Sequence, residues 1–218
     1  TTAPSAGTAN QSVVFTPTEA SNYNTSTISV SVKVDKAPTS ITTVPSASGI
    51  SYGSTLSSAT LSGGVGSVPG SFAFTSPSTV PNAGTSNYNV TFTPTDTSNY
   101  LSSTTSVSVS VGKSTPTIST VPTASGITFG QTLASSSLSG GAASLSSASV
   151  AGSFAFTSPS TSPNAGTANQ SVTFTPTDTN NFNTATVNVS VTVAKATPSI
   201  TTNPSASGIT YGQSLALS

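Results

Sequence analysis

The tetrapeptide FTPT occurs three times, at Phe15–Thr18, Phe92–Thr95 and Phe174–Thr177, spaced by 77 and then 82 residues. The pairs Tyr52-Gly53, Phe129-Gly130 and Tyr211-Gly212 recur at the same offsets, as do Lys36, Lys113 and Lys195. The longer string GSFAFTSPST stands at Gly70–Thr79 and again at Gly152–Thr161. Self-similarity at a fixed period calls for a fold assembled from like units, each stabilised by its own core and by its neighbours. Five extra residues in the later unit fall in the Ser-rich stretch Ser144–Ala148. They leave the flanking pattern intact, which predicts a surface loop.

These offsets divide the chain into a partial repeat over 1–36 that matches the second half of a unit, full repeats over 37–113 and 114–195, and a partial repeat over 196–218 that matches the start of one. Period does not fix phase, so a physical boundary could lie elsewhere in the cycle and neighbours could share strands. The expectation is a window cut from a longer array.

Each unit closes on strict alternation: Ile28, Val30, Val32, Val34; then Val107, Val109, Val111; then Val187, Val189, Val191, Val193, with Ser, Thr, Asn or Lys between. A period of two describes a half-buried strand of an antiparallel sheet. Phe72 with Phe74, and Phe154 with Phe156, sit two apart and project to one side. Val90 with Phe92, and Val172 with Phe174, form the strand leading into a TPT turn, and Leu56, Leu61, Leu133 and Leu138 are core candidates of an earlier strand. Helical spacing is nowhere sustained. Six or seven short strands per unit, divided by Pro and Gly clusters, predict an all-β fold of small sandwiches.

Composition decides between this reading and two others. Ser and Thr make up roughly 40% of the chain and charged residues 4%, against about 25% charged in an ordinary domain. Disorder goes with low hydrophobicity and high net charge, whereas here net charge is zero and 33% of residues are hydrophobic. A mucin-like stalk would lack the periodic apolar residues.

The most specific local motif is DTSNY at Asp96–Tyr100, with its equivalents EASNY at Glu19–Tyr23 and DTNNF at Asp178–Phe182. Asp96, Asp178 and Glu19 read as turn formers, because a short acidic side chain can accept from backbone N–H groups two and three residues on. Tyr100 and Tyr23 read as caps of the next strand, as at the corner of immunoglobulin-like sandwiches. Phe182 has no hydroxyl and can act only as a hydrophobic plug. Together the KATP-like starts, the Y/F-G-Q turn, PGSFAF, NAGT, FTPTD-x-x-NY and the closing V-x-V-x-V resemble the bacterial immunoglobulin-like repeats of the YGX (MBG) type. The resemblance covers essentially the whole chain. It implies tandem small immunoglobulin-like β-sandwiches in large secreted or surface-anchored proteins, and it carries no catalytic residues.

Inventory excludes most chemistry. With no histidine and no cysteine there is no base for a nucleophilic triad and no zinc-ligand cluster. The turn acids come one per unit, too sparse for paired-carboxylate hydrolysis or a calcium site. Four lysines and no arginine cannot line a phosphate track, so nucleic acid is not an expected partner. No cofactor is expected, and no run of 18 apolar residues offers a membrane span.

A Lys–Asn isopeptide bond would pair Lys113 and Lys195 with Asn82 and Asn164. It also needs a buried acid, and Ser5 stands where the first unit should have its Asn. The lysines therefore read as exposed strand-end or linker residues that discourage edge pairing. Sequons at Asn10, Asn24, Asn89, Asn169 and Asn188 leave room for a glycan. The functional expectation is an extracellular or cell-surface repeat array, not an enzyme, serving as stalk, spacer or filament subunit. Its partners would be neighbouring repeats and, through lateral association that no net charge opposes, other copies. The alternative is an adhesin or carbohydrate-binding module, with recognition on Ser144–Ala148 or around Tyr88.

Overall fold

A computed structural model describes residues 4–214. Residues 1–3 and 215–218, at the outer ends of the two partial repeats, lie outside the described residues. The chain divides into two bodies: Thr1–Thr117 with Ala143–Ser153 and Thr175–Ala185, and Ile118–Ala142 with Phe154–Phe174 and Thr186–Ser218.

The first body opens with an antiparallel pair, β1 (Gly7–Phe15) and β2 (Ser26–Val34). Then follow β3 (Ile41–Thr43), β4 (Ser46–Ala47), β5 (Ile50–Ser51), β6 (Leu61–Ser62), β7 (Val65–Gly66), β8 (Gly70–Phe74), β9 (Gly84–Pro94) and β10 (Ser103–Gly112). The main sheet has the order β5-β10-β9-β8, with β5 parallel to β10 and the other pairs antiparallel. Two-stranded sheets β3-β7 and β4-β6 form the second layer. Between the layers lie Leu56, Phe74, Val90, Val107, Val109 and Val111, all buried, with Ala47, Ile50, Leu61 and Phe72 packed against them. The fold class expected from the sequence, all-β with small immunoglobulin-like sandwich units, is the one observed.

The period-two pattern sets this arrangement directly. Val107, Val109 and Val111 of β10 are buried while the Ser residues between them face water. On the neighbouring strand Val90 and Phe92 are buried opposite Thr105 and Ser103. Each fully buried Val or Phe contributes about 1.5–3 kcal/mol. On outward positions hydroxyls pair across strands, as in Thr75 Oγ1 with Thr91 Oγ1 at 2.8 Å and Ser46 Oγ with Ser62 Oγ at 3.2 Å. Among the described residues one ion pair is found, Lys33 with Asp35, well exposed. An exposed pair of this kind stabilises little.

The second full repeat runs through β11 (Thr117–Thr120), β12 (Thr123–Ala124), β13 (Ile127–Thr128), β14 (Leu138–Ser139), β15 (Ala142–Leu145), β16 (Ala148–Val150), β17 (Gly152–Phe156), β18 (Gly166–Pro176) and β19 (Ala185–Ala194). Its main sheet repeats the order, β13-β19-β18-β17. In the second body Ile127, Leu133, Phe156, Val172, Val189, Val191 and Val193 form the core. Phe154 and Phe174 pack tilted at 4.9 Å, as Phe72 and Phe92 do at 5.1 Å in the first body.

Several expectations need correction. The repeats contain eight and nine strands rather than six or seven, because two-residue ladders close the second layer. Leu56 and Leu133 sit on single 3₁₀ turns, Leu56–Ser58 and Leu133–Ser135, not on strands. The TPT segment is no turn: β9 and β18 continue through Pro94 and Pro176, both fully buried. Ser144–Ala148 is not a loop either. It belongs to a hairpin in which Ala143 faces Val150, Ser144 faces Ser149 and Leu145 faces Ala148. The two-residue tip Ser146-Ser147 takes left-handed φ values of 48° and 71°, the backbone that matches strand twist in a tight hairpin.

Close packing fixes the first glycine of the repeated GSFAF motif in the first full repeat. A Cβ on Gly70 would lie 2.5 Å from the Thr93 carbonyl oxygen and 2.6 Å from the Phe92 ring. Gly70→Ala is expected to destabilise the first full repeat by about 1–3 kcal/mol, lowering the melting midpoint by several degrees in calorimetry. Gly112→Ala, whose Cβ would meet only the Ile50 carbonyl oxygen at 3.9 Å, is the control and should leave the midpoint unchanged or slightly raised.

Candidate functional site: the asparagine clasp

The D-x-x-N turn positions the side chains that join one repeat to the next. Asp96 Oδ1 accepts from the backbone N–H groups of Ser98 and Asn99, both at 3.1 Å. Its Oδ2 accepts from Asn99 Nδ2 at 2.7 Å. Asp178 does the same with Asn180 and Asn181, including Asn181 Nδ2 at 2.7 Å. Glu19, one methylene longer, holds Asn22 Nδ2 at 3.4 Å. The acid consumes both amide protons of the turn and orients the asparagine, leaving Oδ1 turned outward as an acceptor.

That oxygen reaches the preceding repeat. Asn99 Oδ1 accepts from the Ala6 N–H at 2.7 Å, and Asn181 Oδ1 accepts from the Ala83 N–H at the same 2.7 Å. The pairs are 93 and 98 residues apart, and each acceptor and donor stand in adjoining repeats. Asn181, only 7% exposed, also donates from Nδ2 to Asn82 Oδ1 at 3.3 Å. An amide nearly removed from water whose polar atoms are all paired is worth far more than an exposed one, because breaking any bond leaves a desolvated group.

The same turn holds the strand start of its own repeat. Ala37 N donates to Asn99 O at 2.8 Å and Leu101 N to Ala37 O at 2.9 Å; Ser114 N donates to Asn181 O at 3.0 Å and Asn183 N to Ser114 O at 2.9 Å. Tyr100 and Phe182 are the residues paired with Ala37 and Ser114. Lys36 Nζ donates to Thr97 O, and Lys113 Nζ to Thr179 O, each at 2.7 Å. Both lysines are exposed just past strand ends, as the sequence suggested, and each also donates to the turn carbonyl one residue past the acid.

Aromatic and aliphatic contacts complete the second junction. The Tyr52 ring meets Phe182 edge-on at 5.1 Å, and Ser114 Oγ donates to Tyr52 O at 2.6 Å. The absent hydroxyl of Phe182 therefore coincides with an aromatic neighbour at the ring. Leu145, from the inserted hairpin, lies over Gly53, where a Cβ would come within 2.9 Å of its Cδ2. Gly53 also has φ +90°, and Gly130 and Gly212 share that conformation at 94° and 90°, so backbone conformation fixes the recurring aromatic-Gly turn while lack of space adds to it only at Gly53.

The sequence-predicted residues thus fall at one place in each repeat, the acid at the start of the turn and Tyr100 or Phe182 at its end. Asn99 and Asn181, which carry the bond between repeats, were missed. Their signal was present as a further recurrence, since Asn22, Asn99 and Asn181 follow the same offsets as FTPT.

Tyr88, the candidate recognition aromatic, is half-buried against the first core. A cavity of about 290 Å³ is lined by Tyr88 with Leu56, Thr75, Ser76, Thr79, Asn87 and Asn89. Among the described residues no three His, Cys, Asp or Glu side chains cluster, and no helix is long and apolar enough to cross a membrane.

No protein-family model matches the chain, nor does any curated protein sequence. Among solved structures the chain is similar to the crystal structure of Drosophila N-cadherin EC1-4, at 10% identity and a TM-score of 0.34, over 77% of this chain and 52% of that one. It is also similar to Drosophila N-cadherin EC1-3, at 11% identity and a TM-score of 0.25, over 79% and 74%. The chain spans about half the length of the first. Neither likeness bears on activity or partner.

Two outcomes follow from the clasp. Asn181→Ala should cost about 1–3 kcal/mol and speed amide exchange at Ala83 about tenfold, with a smaller effect of Asn99→Ala at Ala6, where the asparagine is less buried. The Asn99 side-chain amide is the largest influence on the Asp96 carboxyl; desolvation, next in size, opposes it, and the Asn99 and Ser98 backbone N–H groups and the Lys36 charge add to the amide's effect, so the carboxyl titrates below its ordinary value. A depressed carboxylate contributes stability above its unfolded pKa and loses it as pH falls through the folded one. The melting midpoint should therefore be flat from about pH 9 to pH 5 and fall only below about pH 4.

Proposed function

We propose that this chain is a length of an extracellular spacer, a stalk built from bacterial immunoglobulin-like repeats of the YGX (MBG) type. The observation that carries this reading is the clasp. The one acid of the turn, its asparagine and the linker lysine are all engaged in holding a repeat together or joining it to the previous one.

The composition supports the same role. A charge-poor surface solvated by hydroxyls keeps its hydrogen bonds across a range of salt and pH, since few ion pairs exist to be screened and few groups titrate. The lack of arginine and the scarcity of lysine leave few sites for trypsin-like cleavage. Length grows by adding units, each with its own core and its own clasp to the unit before.

Force spectroscopy on the full chain is the test. A load-bearing spacer should unfold in discrete events whose contour-length increments equal about 27–29 nm, the extended length of one repeat at about 3.5 Å per residue, less the end-to-end distance of the folded unit. Saturable micromolar binding of the same chain on a glycan array, abolished by Tyr88→Ala or by deletion of 144–148, would instead favour the carbohydrate-binding alternative.

A further inference from the structure

Strand β8 is the outermost strand of its sheet, with β9 on one side and no strand on the other, and β17 holds the same place beside β18. Both have the sequence GSFAF. The ladder to β9 is bracketed by Thr75 N–H donating to Asn89 O and Thr95 N–H donating to Pro69 O, each at 2.9 Å. Ser71 and Ala73, opposite Thr93 and Thr91, therefore bond inward, and the N–H and C=O groups of Gly70, Phe72 and Phe74 point away from the sheet. Thr157 N–H to Ser171 O and Thr177 N–H to Ala151 O set Gly152, Phe154 and Phe156 the same way. Among the described residues no strand or turn pairs with these outward groups. Neighbouring repeats leave both edges open: a complete repeat precedes β17 and a complete repeat follows β8, yet each remains outermost.

Natural sheets guard such an edge with charge, proline or a bulge. No Lys, Asp or Glu lies on β8, β9, β17 or β18. β8 contains no proline and pairs with β9 without a register shift. The opposite edge of the same sheet differs, since β5 runs beside Val111 and Gly112. We infer that a second copy of this chain binds here edge to edge, GSFAF against GSFAF in antiparallel register. The strand is complementary to itself. With Phe72 of one copy opposite Phe72 of the other, Gly70 of each faces Phe74 of the other, and every outward N–H meets an outward C=O. The phenylalanines stay on the core side, while Ser71 and Ala73, small and exposed, face each other across the contact. The chain is neutral, so no net repulsion opposes the approach. Because β17 repeats the sequence, either edge of one copy accepts either edge of another, and a chain with two such edges joins more than one partner into a lateral bundle. Each contact is short, and repetition along the array supplies the strength. This pairing goes beyond the spacer role and does not require it.

The full 218-residue chain tests it. Sedimentation velocity over a concentration series should show species at multiples of the chain mass that grow with concentration. Lysine at the exposed positions Ser71, Ala73, Ser153 and Ala155 sets like charges opposite one another, and should weaken assembly about tenfold or more while the circular dichroism spectrum is unchanged. The chain has no cysteine, so disulfides read the register directly. Ser71 and Ala73 of facing copies form a non-hydrogen-bonded pair with Cα atoms about 4.5 Å apart, within disulfide reach. Oxidising a mixture of the Ser71→Cys, Ser153→Cys chain with the Ala73→Cys, Ala155→Cys chain should give a band at twice the chain mass on a non-reducing gel, stronger than from either variant alone. A monomer at every concentration, assembly unchanged by the lysines, or crosslinking as strong in one variant as in the mixture would each overturn the proposal.

Discussion

Burial of one stripe of valines and phenylalanines on the β9-β10 pair underlies everything else in the first body. The chain has no disulfide to constrain it and almost no charge to organise it. Apolar burial is therefore the main source of stability, and it acts only where the period-two pattern delivers every second side chain to the same side. Val90 and Val109 are completely buried at the centre of that stripe. A register slip of one residue would exchange these side chains for threonine and serine, which is why so repetitive a sequence still specifies one pairing.

On the opposite face the same alternation solves a second problem. A sheet that presents hydroxyls rather than charges must satisfy them, and the threonines do so with one another across strands. These are neutral bonds of modest individual worth, yet they repeat at equivalent positions: Thr157 faces Thr173 in the second body as Thr75 faces Thr91 in the first. The clasp follows the same logic with amides. Its central bond joins a neutral side-chain oxygen to a backbone N–H, so screening by salt has little hold on it.

How much of this was legible in the sequence depended on the range of the interaction. Alternation in β2, β10 and β19 could be read directly, because side-chain direction in a strand is a local property. The acid of the D-x-x-N turn was legible for the same reason, since it bonds to amides two and three residues away. Asn99 and Asn181 were overlooked because their decisive partners lie more than ninety residues back in the chain, and nothing local distinguishes them from other turn asparagines. Lys36 and Lys113 are exposed, as their context suggested, but their bonds to a carbonyl of a distant turn leave no local mark in the sequence. Ser144–Ala148 misled by composition: a Ser-rich insertion looks like a loop, but Ala143, Leu145 and Val150 around it carry a short alternation of their own.

That inserted hairpin has a mechanical meaning. Leu145 reaches Gly53 only because five additional residues lengthen the second repeat there; the first repeat has no such residues to offer. Two junctions built on the same asparagine bond therefore differ in how much apolar contact reinforces them. In the proposed spacer, load would therefore meet more resistance at the junction that carries the hairpin than the asparagine bond alone provides.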